Sequence, residues 1–343
     1  MSASCDAILP QRRLFSWPYR IAPAMNRLAS HFGRLLVLLV FLAAAWLLYD
    51  RLKEYTFGQI REAIAAMPTW HIVAASLLTV LNYVILVGYD WLAVRWVGEK
   101  DLPLRKIALA SFAGYAFSYN FGATLFGTSI RYRLYSAWGV PLLKIVKLLV
   151  ILGLTFWFGV FTLAGVVFVV APFSISAGLN HLKLPFAHTF WVGVSLLLIV
   201  LGYVALDALH YRRPLRFFRW RIPLPSLRLT LYQIAIACGD LLVAAAILYT
   251  LLPPAEGGYV RVLGVFMLAF VAAVLSHVPG GYGVFDVLIV EFLPKEHGPA
   301  VVAALLVFRV IYYWLPLLIA AAMLGWNEWR LNTGRATQPY KHQ

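Results

Sequence analysis

The sequence predicts an all-α polytopic membrane protein with about six full spans and two re-entrant helical hairpins arranged as an inverted repeat. Three observations lead to this prediction. First, 62% of the 343 residues are hydrophobic and only 13% are charged, whereas soluble domains are about one quarter charged because their surfaces meet water. Second, several apolar runs are about 20 residues long, which is the length that crosses a bilayer. Third, two further apolar blocks are interrupted by polar and helix-breaking residues.

The net charge of +15 does not indicate nucleic-acid binding, because the lysines and arginines lie in short loops between the apolar runs. That placement is typical of cytoplasmic loops and of segments that face anionic headgroups. The two cysteines, Cys5 and Cys238, form neither a zinc nor a disulfide pattern. We therefore expect no metal site.

The ends of the chain are interpreted from charge. Segment 1–34 mixes five arginines with aromatic residues, which favours a basic segment on the cytoplasmic surface; a disordered basic tail is the alternative. Residues 35–49 are interpreted as a retained first span, because a long basic segment precedes them and charged residues follow at once. The transmembrane domain then covers 35–325, and 326–343 form a cytoplasmic tail. The other full-length spans are 71–92, 144–170, 189–209, 229–252 and 299–325.

Two blocks, 107–135 and 262–293, are not uniformly apolar. The first passes through SYNFG (118–122) and the second through SHVPGGYG (276–283). Irregular backbone at membrane depth persists only where protein or a wet cavity surrounds it, so we expect each block to enter and leave the membrane on the same side. With this arrangement, 22 of the 29 lysines and arginines lie inside, six lie outside and one remains in a span. If each block were instead a single crossing, the chain would have eight spans, and the lysines and arginines outside the spans would divide 14 to 14.

A shift of 158 positions lays residues 71–172 onto residues 229–330. The shift superimposes spans on spans, and it also superimposes Asn82 on Asp240, Ser118 on Ser276, Gly122 on Gly280 and Pro141 on Pro299. Identity is otherwise near chance, so the alternative is that apolar blocks align under many shifts. Because the first copy would start outside and the second inside, the copies are inverted. Inverted repeats with broken helices are typical of transporters.

Two motifs carry a family resemblance. The stretch 118–127 followed by RYRLYSAWG (131–139) resembles the transmembrane, flippase-like region of the bacterial MprF proteins, the lysylphosphatidylglycerol synthases/flippases. PGGYGVFD (279–286) is similar to the same family's Pro-Gly-Gly-x-Gly-x-Phe-Glu signature, with Asp286 where the family usually has Glu. The resemblance covers roughly residues 30–330. It implies a stand-alone UPF0104/YbhN-like member without the soluble aminoacyl-transferase domain.

The first motif supplies one group of candidate lipid-binding residues. The resemblance makes Arg131 and Arg133 candidate ligands of a phospholipid headgroup, since a guanidinium binds phosphate through paired hydrogen bonds; positive-inside anchoring is the alternative. Tyr135 follows Arg131 by four residues and would share its helix face, or would be an interfacial aromatic. Asn120 is assigned to the same site.

The second motif supplies the other group. Gly280, Gly281 and Gly283 permit a tight turn whose amides would hold an anion, although any re-entrant bend needs flexible residues. Asp286 would bind a cationic headgroup or take up a proton; an exposed loop carboxylate is the alternative. His277 is interpreted as a polar wall residue.

Four further charged residues lie within or near the spans. Asp240 and Arg309 fall near the middle of their predicted spans, where a lone charge costs roughly 2.5–3.5 kcal/mol. We therefore expect an intramembrane pair between them, with either a functional or a purely structural role. Asp90 and Asp207 fall near cytoplasmic span ends, which favours structural roles.

Together these features favour a flippase-like translocase for anionic or aminoacylated phospholipid in a bacterial inner membrane, with both termini cytoplasmic. Two alternatives stay open. One is a non-catalytic partner that docks a lipid-synthesis enzyme through the arginine-rich loop 210–228, and the other is a membrane-embedded lipid transferase. No hydrolase, transferase or ATPase motif is recognised, so neither enzymatic activity nor a cofactor is expected. The sequence leaves the oligomeric state open.

The charge distribution also predicts the side on which each loop lies. Single cysteines within 212–221 and 335–341 should react from the cytoplasmic side, and those within 181–188 and 295–297 from the outside. Membrane-impermeant thiol reagents, applied to intact cells and to inverted vesicles, measure this. If Arg216→Cys were labelled only from outside, the inverted repeat would be contradicted.

Overall fold

The computed structural model describes most of the apolar helices and the shorter connections between them. The described residues are 46, 56–122, 126–173, 188–209, 215–217, 220–222, 227–254, 257–293 and 298–332. The predicted surface segment 1–34 lies outside the described residues. So do the predicted first span 35–49, apart from one residue, most of the loop 210–228, and the part of the predicted tail beyond residue 332.

The described chain is almost entirely helical. Its elements are α1 (Phe57–Ala66), α2 (Thr69–Trp96), α3 (Leu104–Phe121), α4 (Thr128–Ala137), α5 (Leu142–Val170), α6 (Thr189–Leu209), β1 (Leu215–Phe217), β2 (Trp220–Ile222), α7 (Leu227–Leu251), α8 (Gly258–Leu275), α9 (Val284–Phe292), α10 (Gly298–Phe308), a π-helical segment (Arg309–Trp314) and α11 (Leu315–Asn332). The two strands pair antiparallel over three residues each, in the connection between α6 and α7. The prediction of an all-α membrane fold is confirmed.

Proline sets the starting points of three long helices. Pro68, Pro103 and Pro141 cap α2, α3 and α5, and each has extended backbone angles. A proline disfavours helical geometry in the residue before it, so none of these helices can extend toward its N-terminus. The membrane helices therefore begin where the sequence places a proline before an apolar run.

Six of the described helices are long and apolar enough to cross a membrane. Five coincide with predicted full spans: α2, α5, α6, α7 and the continuous helix that runs from α10 into α11. The sixth is α8, which the sequence assigned to an arm of the second hairpin. Its 18 residues extend about 27 Å at 1.5 Å per residue, slightly less than the roughly 30 Å of a hydrocarbon core, and the chain then turns back along it.

Both interrupted blocks form hairpins with one long and one short helical arm. In the first, α3 packs against α4, and a Cβ atom added to Gly127 would lie 1.7 Å from Ser118 Oγ. In the second, α8 packs against α9, and a Cβ atom added to Gly281 would lie 2.7 Å from the Cβ of Ala273. Glycine is therefore needed at both positions, because no side chain fits between the arms.

The helices α2 and α7, which are equivalent under the shift of 158 residues, run antiparallel along each other. Their contacts join His71 with Thr250, Asn82 with Asp240, and Gly88 with Ile236. Residue numbers thus rise along α2 while they fall along α7. The middle contact joins two residues that the shift superimposes. An antiparallel pair of equivalent helices is the relation that an inverted repeat predicts.

Each hairpin packs against the last span of the other copy. The first hairpin places α3 against the π-helical segment and α11, where the ring of Tyr119 stacks on Tyr312 with centroids 5.5 Å apart. The second places α8 against α5, where the Phe270 and Phe156 ring centroids are 5.9 Å apart. The two copies are therefore interlocked and share one core.

Small residues let the full spans approach closely. Gly159 on α5 faces Ala237 on α7, and Gly165 on α5 faces Gly193 on α6. In lipid, helices gain nothing by removing apolar surface from water, so their association depends on close packing and on polar contacts. The glycines on α5 make this packing possible on two sides of one helix.

We expect Gly159→Ala to destabilise the protein. A Cβ atom there would lie 2.1 Å from the Cβ of Ala237, so α5 and α7 must separate, at a cost of about 1–3 kcal/mol. The melting temperature of the detergent-purified protein measures the effect. Gly153→Ala is the matched control on the same helix, where a Cβ has no atom within 4 Å, and it should be neutral or stabilising by up to about 1 kcal/mol. Equal melting temperatures for the two variants would contradict this packing.

Candidate functional site

A buried ion pair joins the short arm of the first hairpin to α2. Arg131 Nε and Nη2 donate to the two carboxylate oxygens of Asp90 at 3.0 and 3.1 Å. The Tyr135 hydroxyl donates to the same carboxylate at 3.0 Å, and all three residues are buried. Arg131 and Tyr135 share a helix face, as predicted, and that face points into the protein.

The guanidinium of Arg131 is closely enclosed. Its carbon lies 4.2 Å from the centroid of the Tyr115 ring, and a Cβ atom added to Gly114 would lie 2.7 Å from the guanidinium. Arg131 is therefore not a surface anchor. Asp90, expected to be structural, is its counter-charge. Arg133 is exposed, and its contact with a lipid headgroup stays a prediction.

A second buried ion pair joins the short arm of the second hairpin to the last span. Arg309 Nη2 and Nε donate to Asp286 Oδ2 and Oδ1 at 2.8 and 3.3 Å, and Nη1 donates to the carbonyl of Gly280 at 2.7 Å. The guanidinium carbon lies 4.4 Å from the ring centroid of Tyr282 and 4.8 Å from that of Tyr313. One arginine thus holds the turn, the helix after it and the span together.

Two sequence-based predictions need correction here. The pair between Asp240 and Arg309 is wrong, because α9 returns alongside the π-helical segment and brings Asp286 to the arginine. The alternative that Asp286 is an exposed loop carboxylate is also wrong, since the residue is only 8% exposed. Asp286 lies in the first turn of α9 and accepts a hydrogen bond from Gly283 N at 3.1 Å, so it caps the helix as well.

The tight glycine turn that the second motif predicted is present. Gly280, Gly281 and Gly283 all have positive φ, at 64°, 61° and 82°, which glycine adopts without steric cost. The amide of Gly283 is already bonded to Asp286. His277 at the same turn is exposed and has φ of 54°, an uncommon conformation for a residue with a side chain.

The turns of the two hairpins meet. A Cβ atom added to Gly280 would lie 3.2 Å from the carbonyl oxygen of Asn120, which lies at the end of α3. The Asn120 amide donates to Ala116 O at 2.8 Å and to Tyr313 O at 3.0 Å. Asn120 therefore attaches the first hairpin to the span that also carries Arg309. We define the hairpin junction as Asn120, Gly280, Asp286, Arg309 and Tyr313.

A third polar cluster lies where α2 crosses α7. Asn82 Nδ2 donates to Asp240 Oδ1 at 2.9 Å and to its backbone carbonyl at 2.8 Å. Tyr89 donates to Asp240 Oδ2 at 3.0 Å, and the Tyr312 hydroxyl donates to Asn82 Oδ1 at 2.9 Å. The repeat alignment superimposed Asn82 on Asp240 but did not predict that they touch, and sequence reasoning missed Tyr89 and Tyr312.

The π-helical segment connects the Asn82–Asp240 cluster with the hairpin junction. It carries Arg309, Tyr312 and Tyr313, all buried, and Trp314 Nε1 donates to the Tyr282 hydroxyl at 2.8 Å. Such wide turns inside α-helices are frequent at functional sites, and no signal in the sequence predicted this one. Among the described residues, no three His, Cys, Asp or Glu side chains form a group that could hold a metal ion.

The geometry predicts strong coupling between Asp286 and Arg309. Removing one partner leaves a buried charge without its counter-charge, which costs about 3–5 kcal/mol. Asp286→Asn and Arg309→Gln should each lower the melting temperature, and the double variant should lose less than the sum of the two. Glu62→Gln combined with Arg309→Gln is the control pair, because Glu62 is exposed on α1 and lies outside this network, so the two effects should simply add. Additive losses for the Asp286 pair would contradict the observed contact.

No family model matches the chain, but individual proteins do. A protein of Synechocystis sp. described as uncharacterized is 35% identical over 83% of this chain and 88% of its own length. The inner membrane protein YbhN of Escherichia coli is 31% identical over 84% of this chain and 89% of its own length. Phosphatidylglycerol lysyltransferase of Staphylococcus haemolyticus is 25% identical over 86% of this chain, and the match spans 34% of that enzyme's length.

The two more similar proteins match over most of their own lengths and over more than four fifths of this chain. The lysyltransferase match covers about a third of that enzyme and corresponds to the apolar helices described above. The chain therefore belongs to the family of the inner membrane protein YbhN, a family of polytopic membrane proteins related to the membrane region of phosphatidylglycerol lysyltransferase.

Proposed function

We propose that this protein moves an anionic or aminoacylated phospholipid between the leaflets of a bacterial inner membrane. The observation that carries the proposal is the hairpin junction. Two broken-helix hairpins meet there, and each is tied to a full span by a buried arginine–aspartate pair. Transporters with inverted repeats commonly bind their substrates where such broken helices come together.

The chemistry of the second pair suits a phospholipid headgroup. A phosphate diester offers a guanidinium the same two-oxygen edge as a carboxylate. A lipid phosphate can therefore compete with Asp286 for Arg309. When it does, Arg309 leaves both Asp286 and the carbonyl of Gly280, and the turn of the second hairpin separates from the last span. Because the lipid binds the open form only, its binding shifts the equilibrium toward opening.

Asp286 adds the complementary charge. Once its arginine binds phosphate, the carboxylate needs a new cationic partner, because a lone buried charge is costly. An ammonium or aminoacyl amine on the same headgroup meets that need. A headgroup with both a phosphate and an amine therefore satisfies both members of the pair, whereas a purely anionic headgroup satisfies only Arg309.

The acyl chains require an apolar surface beside the headgroup. Val310, Trp314 and Leu315 are exposed on the helix that carries Arg309, and Phe121 and Phe126 are exposed at the turn of the first hairpin. These side chains form apolar surface next to the junction, where a lipid can keep its chains in the bilayer while its headgroup enters the protein.

The relatives support the class of substrate and the location. YbhN is by name an inner membrane protein, and the lysyltransferase is by name an enzyme of phosphatidylglycerol. The part of that enzyme that this chain resembles includes both hairpins. A phospholipid of this kind in the inner membrane is therefore the first substrate to test.

We expect Arg309→Lys to reduce lipid movement. Lysine keeps the positive charge but offers a point charge in place of a two-donor fork. A hydrogen bond to a charged group contributes about 1.5–3 kcal/mol, so the rate should fall at least about tenfold. The measurement is a leaflet-resolved assay in proteoliposomes with phosphatidylglycerol and its lysyl derivative, normalised to folded protein. Arg105→Lys, an exposed arginine at the start of α3, is the matched control and should keep the wild-type rate.

Three results would argue against the proposal. If folded Arg309→Lys protein moved lipid at the wild-type rate, the ion pair would have no role in lipid movement. Co-purification of a lipid-synthesis enzyme, with no lipid movement by the pure protein, would favour the docking partner considered above. A change in the mass of the lipid during the assay would favour a transferase.

A further inference from the structure

Asp240 differs from the carboxylates of the two ion pairs. Asp90 and Asp286 each face an arginine. Asp240 is 4% exposed, and its carboxylate accepts hydrogen bonds from the amide of Asn82 at 2.9 Å and from the hydroxyl of Tyr89 at 3.0 Å. Among the described residues, no lysine, arginine or histidine bonds to it. A buried carboxylate without a counter-charge is costly, so its charge needs another form of compensation.

Apart from Asp207 of α6, which accepts a hydrogen bond from Thr230 ten residues before Asp240, the titratable groups that the packed helices present to Asp240 are neutral. The phenols that face it come from α2, α3 and the π-helical segment: Tyr83, Tyr89, Tyr115, Tyr119 and Tyr312. On its own helix the nearest titratable group is Cys238. From α8, Tyr259 donates to the carbonyl of Leu242. The lysines of α5 lie in its first turns, where Lys144 is paired with Glu99.

We propose that Asp240 is a reversible proton-binding site, and that proton binding there couples a proton gradient to lipid movement. The coupling rests on the proposed function; the proton site does not. In the binding step the carboxylate takes one proton from water and becomes a neutral carboxylic acid, and in release the proton returns to water on the other side of the membrane.

The hydrogen bonds of the site suit both states. A tyrosine hydroxyl can donate or accept, so Tyr89 donates to the carboxylate and accepts from the carboxylic acid. A bound sodium ion fits less well, because Asn82 and Tyr89 both direct donor hydrogens at the carboxylate oxygens. The neutral partners therefore favour a proton over a metal cation.

A row of phenols leads from Asp240 toward the outside of the bundle. The Tyr89 and Tyr115 ring centroids are 5.9 Å apart, as are those of Tyr115 and Tyr119. Tyr115 and Tyr119 are only half-buried. A phenol hydroxyl can both donate and accept a hydrogen bond, so the proposed proton route runs along this row of rings, with water completing the hydrogen bonds between the hydroxyl groups.

The position of Asp240 explains how its proton could affect the hairpin junction. Asn82, which donates to Asp240, also accepts from the Tyr312 hydroxyl. Tyr312 lies on the π-helical segment three residues after Arg309. Neutralising Asp240 weakens its bond with Asn82, because a hydrogen bond to a charged acceptor is the stronger kind. The change is thus passed to the segment that holds the second hairpin.

The proton site is tested by infrared spectroscopy on the purified full-length protein, titrated over the pH range in which it stays folded. Wild type should show a carboxylic-acid carbonyl band at low pH that disappears as the pH rises. The band should be absent in Asp240→Asn and unchanged in Glu62→Gln, an exposed carboxylate on α1. A wild-type spectrum with no pH-dependent band that depends on Asp240 would overturn the site. If Asp240→Asn does not fold, Tyr89→Phe provides the test. Its carboxylic-acid band should persist to higher pH than the wild-type band, and an unchanged pH dependence would count against the site.

The coupling is tested in proteoliposomes. A pH gradient imposed across the bilayer should change the wild-type rate of lipid movement several-fold, and Asp240→Asn should lose that response while Glu62→Gln keeps it. A response to a sodium gradient at constant pH, with none to protons, would overturn the proposal in favour of a cation site. A gradient response that survives in Asp240→Asn would overturn the coupling. If wild type moves no lipid, the proposed function fails, and the infrared titration still decides the proton site.

Discussion

The cost of an unpaired charge inside a low-dielectric protein is the constraint on which the rest of this structure depends. Arg131 and Arg309 are both about nine-tenths buried or more, and a buried guanidinium is tolerated only beside a counter-charge and with its donors satisfied. Each therefore requires an aspartate on another element. Because one partner of each pair lies on a short hairpin arm and the other on a full span, satisfying the charges also holds the hairpins in place.

The frame of the protein is symmetric, but its charges are not. Helices α2 and α7 are equivalent and antiparallel, and each hairpin packs on the last span of the other copy. The shift of 158 residues, however, places Arg131 on Ile289 and Arg309 on Ile151. In the first copy the arginine belongs to the hairpin, and in the second it belongs to the span. The two hairpins of a symmetric frame are therefore held by differently placed ion pairs.

The cluster around Asp240, the second ion pair and the turn of the first hairpin form one connected system. Tyr312 reaches Asn82 at the crossing of α2 and α7, Arg309 reaches the second hairpin, and Asn120 of the first hairpin donates to the carbonyl of Tyr313. All three connections end on the six residues of the π-helical segment. In lipid, where apolar packing distinguishes poorly between alternative arrangements, such polar contacts specify which helices meet.

By itself, the sequence determined the membrane class, the positions of five of the six predicted spans and the breaks in both hairpins, because hydropathy, proline and glycine act through nearby residues. It also determined that Arg131 and Tyr135 share a face, since helical periodicity is local. Only the tertiary structure decided the partners of the buried charges. Arg309 meets Asp286 and not Asp240 because α9 folds back beside the π-helical segment, while α7 turns Asp240 toward α2. Partner choice depends on how distant segments pack, and composition and spacing contain no record of that.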